Sequence, residues 1–433
     1  MFYKNYFRYI VPSVISFTLT GVYSVIDGFF IGQKVGYLGL AAVGIAWPIA
    51  AVTYALGEGI GMGGSVISSI RRGEGREQDS REAIGNSLSM ILISALLVTL
   101  VVFSLAGILT RLIGADEGTH EMATVYLRTL SMGAIAQIGY CGLLPIVRSL
   151  GRPVLAMATM VTGCCVNILL DWLFVWIFGW GVRGAALATI SGEFVTAIPL
   201  AAFFLFPQNR IPADCFRIRP GVLKHIVRIG VSPFGLSVLP SLSIIIMNLQ
   251  VVKHGGDTAL AAYSLIGYVL SIVQLMAQGV CEGAQPMLSY NTGSGDRGLV
   301  RRTARLTYGI TVGLGIAGGL LFLLFIRQIA LLYNAGPQTT AVLLQAAPFF
   351  SLAMPLFCFS RCTADYFYAT DRSGSASLMV YLEGLVLMPG LALLLPALMG
   401  LKGVWLVTVT TQLLLLCLGL RLLSGRKKTK APE

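Results

Sequence analysis

Charge is what this 433-residue chain has least of: Asp, Glu, Lys and Arg together make up 12% of it, about half of what a soluble domain carries. A soluble fold of this length has too little interior to hide so much apolar surface, so an ordinary aqueous enzyme is excluded on composition. Histidine numbers three (His120, His225, His254), and none lies deep in an apolar run, which leaves little for acid–base chemistry. There is no H-E-x-x-H, no G-x-S-x-G, no P-loop and no strand–glycine–helix dinucleotide fingerprint. The chain therefore reads as a non-enzyme without a cofactor. Its eight cysteines include no C-x-x-C and no Cys/His cluster, so structural zinc and a disulfide scaffold are disfavoured. No basic stripe with interleaved aromatics stands outside the apolar runs, so the net charge of +12 does not point to nucleic acid.

What the chain has is apolar length. Hydrophobic residues make up 56% and the mean hydropathy is +0.80. A helix crosses a bilayer with about 20 apolar residues, and the runs here have that length rather than the ~10-residue alternation of a barrel. Twelve are expected, at 8–31, 39–67, 84–108, 122–148, 153–179, 183–206, 222–252, 258–288, 303–326, 338–366, 374–397 and 401–422. The fold class is an all-α polytopic membrane protein. Basic residues test the count. Of the 31 Lys and Arg, twenty-three fall on the N-terminal side of the membrane, six on the other, and Arg128 and Arg361 inside helices. One missed helix would swap every later loop, so both termini are expected in the cytoplasm.

The chain also resembles itself at an offset near 220. Leu40–Val43 (LAAV) meets Leu260–Tyr263 (LAAY), Gly59 and Gly63 meet Gly279 and Gly283, and Arg71–Gly75 (RRGEG) meets Asn291–Gly295 (NTGSG). Gly151–Pro153 (GRP) meets Asp371–Ser373 (DRS), and Arg81 meets Arg301. Six helices per half return the chain to the same face, so the repeat is parallel about an axis along the membrane normal. The expected organisation is an N-terminal six-helix lobe (1–206), a polar, Pro-containing cytoplasmic linker (207–221) and a C-terminal six-helix lobe (222–433) ending in a basic tail. Two bundles with a cavity between them suit a substrate path that opens alternately to each side.

Polar groups inside apolar runs narrow the chemistry, because a charged side chain at the bilayer centre costs at least ~2.5–3.5 kcal/mol on the insertion scale. Asp27 stands in the first helix and Asp171 in the fifth, with Asn167 one turn earlier on the same face. Two carboxylates among neutral oxygens can share a proton or hold Na⁺ through hard oxygen ligands. Capping or hydrogen bonding at the outer interface is the plainer alternative. Glu58, Glu193, Glu282, Arg361 and Asp365 are further cavity or substrate candidates. For Arg361 and Asp365, four apart, a self-neutralising pair is an equal reading. Pro12 lies on the same helix as Asp27, so cation binding could be read out as a helix bend.

At these residues the chain resembles the multidrug and toxic compound extrusion (MATE) family. The resemblance is carried by Ile26–Ile49 (IDGFFIGQKVGYLGLAAVGIAWPI), Ser149–Met157 (SLGRPVLAM), Val166–Val175 (VNILLDWLFV), Gly181–Glu193 (GVRGAALATISGE) and Gly283–Arg302. It implies twelve helices in two lobes and a cation site in the N-terminal lobe at Asp27, Asn167, Asp171 and Thr189, taking H⁺ or Na⁺, with Pro12 as the bending residue. It further implies the bacterial branch that relies on that lobe. Helix seven carries no Asp or Glu in its membrane part, so a coupling site in the second lobe is not expected.

The expected function is thus secondary antiport at a bacterial inner membrane, exporting amphipathic, often cationic, small molecules from a monomer embedded in lipid. The alternative is a flippase of lipid-linked cell-wall or polysaccharide precursors. That would call for a basic cluster around a pyrophosphate, and the interior arginines expected here are only Arg128 and Arg361.

Overall fold

The computed structural model describes residues 2–333 and 335–424; the basic tail residues Arg426, Lys427, Lys428 and Lys430 lie outside the described residues. Ten helices among them are long and apolar enough to cross a membrane. They include α1 (Phe2–Lys34), α2 (Tyr37–Gly73), α3 (Glu77–Ile113), α5 (Pro153–Ile177) and α6 (Gly181–Ala202). The later ones are α9 (Arg297–Leu332), α10 (Pro337–Ala369), α11 (Ser373–Met399) and α12 (Leu401–Ser424). The tenth, Pro220–Gly293, is 74 residues long and holds two crossings. Gly256 breaks it at φ 64, ψ −165 into α7 (220–255) and α8 (257–293). The remaining crossing, α4, is a pair, His120–Met132 and Ala134–Ser149, joined at a 56° bend.

That bend departs from the single run expected at 122–148. The break falls at Gly133, where a Cβ would lie 2.5 Å from Ile190 of α6, so the close approach of α6 needs a bare backbone there. Pro145, the residue with the stronger reputation for kinking, stays inside an uninterrupted helix. Two crossings contain a π turn, Trp172–Ile177 in α5 and Leu382–Leu387 in α11. The first follows directly on Asp171 and the second contains Glu383, so each wide turn accompanies an acidic residue.

The turns repeat as the sequence does. Left-handed φ values occur at Gly36 and Gly256, Gly75 and Gly295, Gly151 and Asp371, and Gly181 and Gly400, at spacings of 220, 220, 220 and 219. Asp371, at φ 58, is the one non-glycine residue in that region among the described residues. Aspartate tolerates it better than most side chains, and its Oδ1 lies 2.9 Å from His225 Nε2.

Packing follows from which residues lack side chains. A Cβ on Gly73 (α2) would lie 2.1 Å from the Tyr290 carbonyl of α8, and one on Gly293 would lie 2.0 Å from the Ile70 carbonyl of α2. The two contacts are the same contact made twice about a pseudo-two-fold axis, since 70 and 73 correspond to 290 and 293. Ser65 and Gln285, also equivalent, hydrogen-bond to each other at 3.1 Å. Gly59 and Gly63 sit against Gly230 and Ile226 of α7, and their counterparts Gly279 and Gly283 sit against Val14 and Ile10 of α1. All these approaches lie in the halves of the helices nearest the N-terminus, the basic end. There one hydrophobic core, including Tyr6, Ile60, Met62, Ile229, Leu288 and Tyr368, is shared by both halves of the chain. At the opposite end the core divides into one cluster around Ala46, Ala106 and Val182 and another around Val251, Phe322 and Trp405. The molecule is closed at its basic end and parted at the other.

Polarity is inverted relative to a water-soluble protein. Leu112, Leu320 and Leu324 are 78%, 62% and 69% exposed, whereas Asn167, Asp171, Gln285 and Glu282 are buried. Residues 207–219 do not hang free. Asn86 of α3 donates to the Cys215 and Arg217 carbonyls (3.1 and 3.2 Å) and accepts from the Arg219 amide (2.9 Å), and Glu82 pairs with Arg219 at 2.6 Å.

Because Gly73 and Gly293 meet backbone rather than flexible side chains, Gly73→Ala and Gly293→Ala should each destabilise the fold by about 1–3 kcal/mol, as overpacking does. Gly309→Ala on α9, where a Cβ meets nothing within 4 Å, should be neutral or mildly stabilising. Thermal melts in detergent check this; equal melting temperatures for all three variants would contradict the crossing described.

Candidate functional site

The site begins with two glycines. A Cβ on Gly163 (α5) would lie 2.6 Å from the Gly192 carbonyl of α6, and one on Gly192 would lie 2.7 Å from the Gly163 carbonyl. Helices α5 and α6 therefore touch backbone to backbone at this level, and one turn along α5 the side chain of Asn167 faces Thr189. With its amide oriented to satisfy both neighbours, Asn167 Nδ2 donates to Asp171 Oδ2 and Oδ1 accepts from the Thr189 amide, each at 3.2 Å. The i, i+4 spacing of Asn167 and Asp171 does here what helix geometry dictates.

Helix α1 supplies the second carboxyl. Just beyond Asp27, Phe30 packs edge-on against Trp176 of the α5 π turn at 6.0 Å, and the Lys34 ammonium lies 4.4 Å over the same ring. These contacts hold α1 to α5 on the stretch that carries Asp27 and Asp171, whose carboxyls are neighbours. Asp171 is fully buried. Asp27 Oδ1 and Asp171 Oδ1 are both shut away from solvent with no hydrogen-bond partner. Two orphaned carboxylate oxygens, with an amide and a hydroxyl beside them, are a donor set for a proton or a hard monovalent cation. No group of three or more His, Cys, Asp or Glu residues able to hold a metal ion occurs among the described residues.

A cleft of about 360 Å³ opens onto Asn167 and Thr189 and runs past Tyr23 to Glu193 and Tyr140. Glu193 is buried beside Gln137, and its Oε2 has no hydrogen-bond partner. A second cleft of about 480 Å³ shares Tyr140 and Met160 with the first and is lined further by Phe17, Tyr54, Glu58 and Glu282. The structure thus brings Asp27, Asn167, Asp171 and Thr189 together and sets Glu193 one cleft away. Glu58, Glu282, Arg361 and Asp365 gather elsewhere, where the two halves of the chain meet. Arg361 Nε donates to Asp365 Oδ2 at 3.3 Å, the i, i+4 pair read from the sequence. Pro12 is buried inside an unbroken α1.

Arg148 is a correction. Counted with the loop charges at the basic end, it is instead 6% exposed, and its Nη2 donates to Glu282 Oε2 at 2.8 Å. Arg128, readable from the sequence either as an interior arginine or as one snorkelling from a helix end, is exposed on α4, as the second reading has it. A loop-charge count misplaces Arg148 because it ends an apolar run, and nothing in one sequence pairs the end of α4 with α8. Ser237, which hydrogen-bonds Glu58, was missed for the same reason.

Comparison with known proteins agrees with this architecture. The MatE family model matches twice, at residues 12–173 and 234–394, with starts 222 apart. The multidrug export protein MepA of Staphylococcus saprophyticus is 24% identical over 417 residues, covering 93% of this chain and 89% of that protein. MepA of Staphylococcus aureus (strain MRSA252) is 25% identical over 433 residues, covering 95% and 91%. Among solved structures, one described as the outward-facing conformation of a multidrug resistance MATE family transporter of the MOP superfamily superposes with a TM-score of 0.91 at 24% identity, over 98% of this chain and 97% of that one. With both halves matched by the same model, this chain belongs to the MatE family, the multidrug efflux (MATE) transporters.

Proposed function

We propose that this transporter is an antiporter that exports amphipathic, often cationic, small molecules in exchange for H⁺ or Na⁺ by alternating access. The observation that carries the reading is the neighbouring pair Asp27 and Asp171, each with a buried oxygen that has no partner. An ionised, unpaired carboxylate is costly in such surroundings, so the pair gains most from taking up a cation. Cation uptake can then shift the balance between conformations by as much as its affinity differs between them, and the same linkage applies to the exported molecule. Asn167 and Thr189 orient Asp171 and supply the neutral oxygens. Pro12, which leaves one backbone hydrogen bond of α1 unmade, is the point at which that helix can bend in response.

The cleft beside the pair suits the exported class. Phe17, Tyr54, Tyr140, Met157 and Met160 offer aromatic faces and adaptable thioethers, and Glu58, Glu193 and Glu282 supply negative charge. A lipid-linked pyrophosphate is less well served. Arg148 and Arg361, the interior guanidiniums, lie beside the carboxylates of Glu282 and Asp365. The basic end, which carries twenty-two of the 31 Lys and Arg residues once Arg148 is set aside, is the cytoplasmic one on this reading, so the parted end faces outward.

Two outcomes are expected. In proteoliposomes loaded to report a fluorescent organic cation, with pH and Na⁺ gradients imposed separately, one gradient drives transport. Asp27→Asn and Asp171→Asn each reduce that transport about tenfold or more, within the usual range of coupling. Wild-type transport by Asp27→Asn under both gradients would remove the coupling role. A C-terminal epitope tag should resist protease in intact spheroplasts and be cut only after lysis; cleavage in intact cells would reverse the orientation.

A further inference from the structure

Deep in the seam between the two halves lie five ionisable side chains from four helices. Glu282 of α8 is the hub. Its Oε2 accepts from Arg148 Nη2 of α4 at 2.8 Å, its Oε1 accepts from Gln278 at 2.7 Å, and Arg361 Nη2 of α10 lies 3.9 Å away. Arg361 also pairs with Asp365, and Arg148 Nη1 reaches Ser13 Oγ of α1 at 3.4 Å. Glu58 of α2 differs from the rest. It is 5% exposed and accepts from Ser237 Oγ of α7, yet it has no ion-pair partner among the described residues. Glu58 and Glu282 line one cleft, together with Tyr54 and Arg148.

Charge counting makes the arrangement informative. Three carboxylates stand against two guanidiniums, and a fourth acid, Glu383 of α11, accepts from Gln412 at 2.7 Å. Fully ionised, the seam would bury unbalanced negative charge. It also holds groups with nothing to bond to: Asp365 Oδ1 and Arg148 Nε are buried without partners. One proton on Glu58 leaves the three carboxylates with one fewer charge.

The position gives that proton a mechanical meaning. Glu58 adjoins Gly59, which meets Gly230 across the seam, and Glu282 adjoins Gly283, which meets Ile10. Rocking the halves apart at the basic end must pull these contacts open, take Glu282 away from both Glu58 and Arg148, and leave Glu58 facing water, where it releases a proton readily. The proton is therefore bound more tightly in the closed arrangement.

We propose that Glu58 and Glu282 form a second proton-binding site, separate from Asp27 and Asp171, that bridges the two halves and holds the basic end shut while occupied. The inference rests on the alternating-access part of the proposed function and not on cation coupling at Asp27 and Asp171. The test uses the full chain in lipid nanodiscs, with spin labels on non-natural residues at positions 81 and 301, equivalent exposed sites at the basic ends of the two halves. Distances are read by pulsed electron resonance from about pH 5 to pH 9.

For the wild type, the short-distance population should fall about threefold or more as pH rises. Glu58→Gln, which mimics the protonated form, should stay short throughout. In the chain carrying Asp27→Asn with Asp171→Asn the population should still respond to pH, and adding Glu58→Gln to that chain should remove the response that remains. Gly59→Leu, a wedge against Gly230, provides the open reference. A pH-independent wild type, or a Glu58→Gln protein that still responds, would overturn the proposal. If the wedge variant also stays short, the alternating-access reading falls and this site with it.

Discussion

A carboxylate oxygen with no hydrogen-bond partner, inside a protein that is itself inside a membrane, is the constraint on which the rest of this structure turns. Water cannot reach Asp27 Oδ1 or Asp171 Oδ1, and no neighbouring donor satisfies them. In a low dielectric, leaving such a group ionised and alone costs several kcal/mol. The chain nevertheless invests a glycine-to-glycine helix contact, a π turn, an aromatic clamp and an asparagine bridge in holding the two groups side by side. Such investment in an unsatisfied site is what the proposed cation site calls for, since the two oxygens are free to accept a small cation.

A second constraint is steric. The seam between the halves is made from glycines that meet backbone, and a seam without side chains can be tight when closed without interlocking teeth to disengage when it opens. The repeat makes the seam symmetric: Gly73 against Tyr290 is answered by Gly293 against Ile70. The charge distribution across it is not symmetric. Gly59 is preceded by Glu58 but its counterpart Gly279 by Gln278, Gly283 is preceded by Glu282 but its counterpart Gly63 by Met62, and Arg148 joins only the second acid. The scaffold is duplicated, whereas the chemistry on it is specific to each half.

Much of the fold was legible in the sequence for a physical reason: bilayer thickness fixes run length, and the apolar runs therefore announce the helices directly. The glycine pairs 59/279 and 63/283 stood out as repeats before their role at the seam was visible. What was hidden depended on the third dimension. The bend in α4 falls at Gly133, which packs close to Ile190, 57 positions away in the chain, while the proline in the same helix sits in an uninterrupted stretch. Arg148 looked like one more loop charge because one-dimensional counting cannot distinguish a basic residue at a helix end from one that turns inward to meet an acid on α8. Of the site, the Asn167–Asp171 face followed from helix geometry and Thr189 from family resemblance. Asp27 joined the set through the same resemblance, and the folded chain adds the packing of α1 on α5 through Phe30 and Trp176.

The most direct test of the central claim is electrical. Proteoliposomes adsorbed on a solid-supported membrane, subjected to a rapid jump in H⁺ or Na⁺ without any exported molecule, report charge moving into the protein. The account predicts a transient displacement current in the wild type for at least one of the two cations and its loss in the chain carrying Asp27→Asn and Asp171→Asn together. An undiminished current in that double variant would mean that the cation binds elsewhere and that the neighbouring aspartates are not the site.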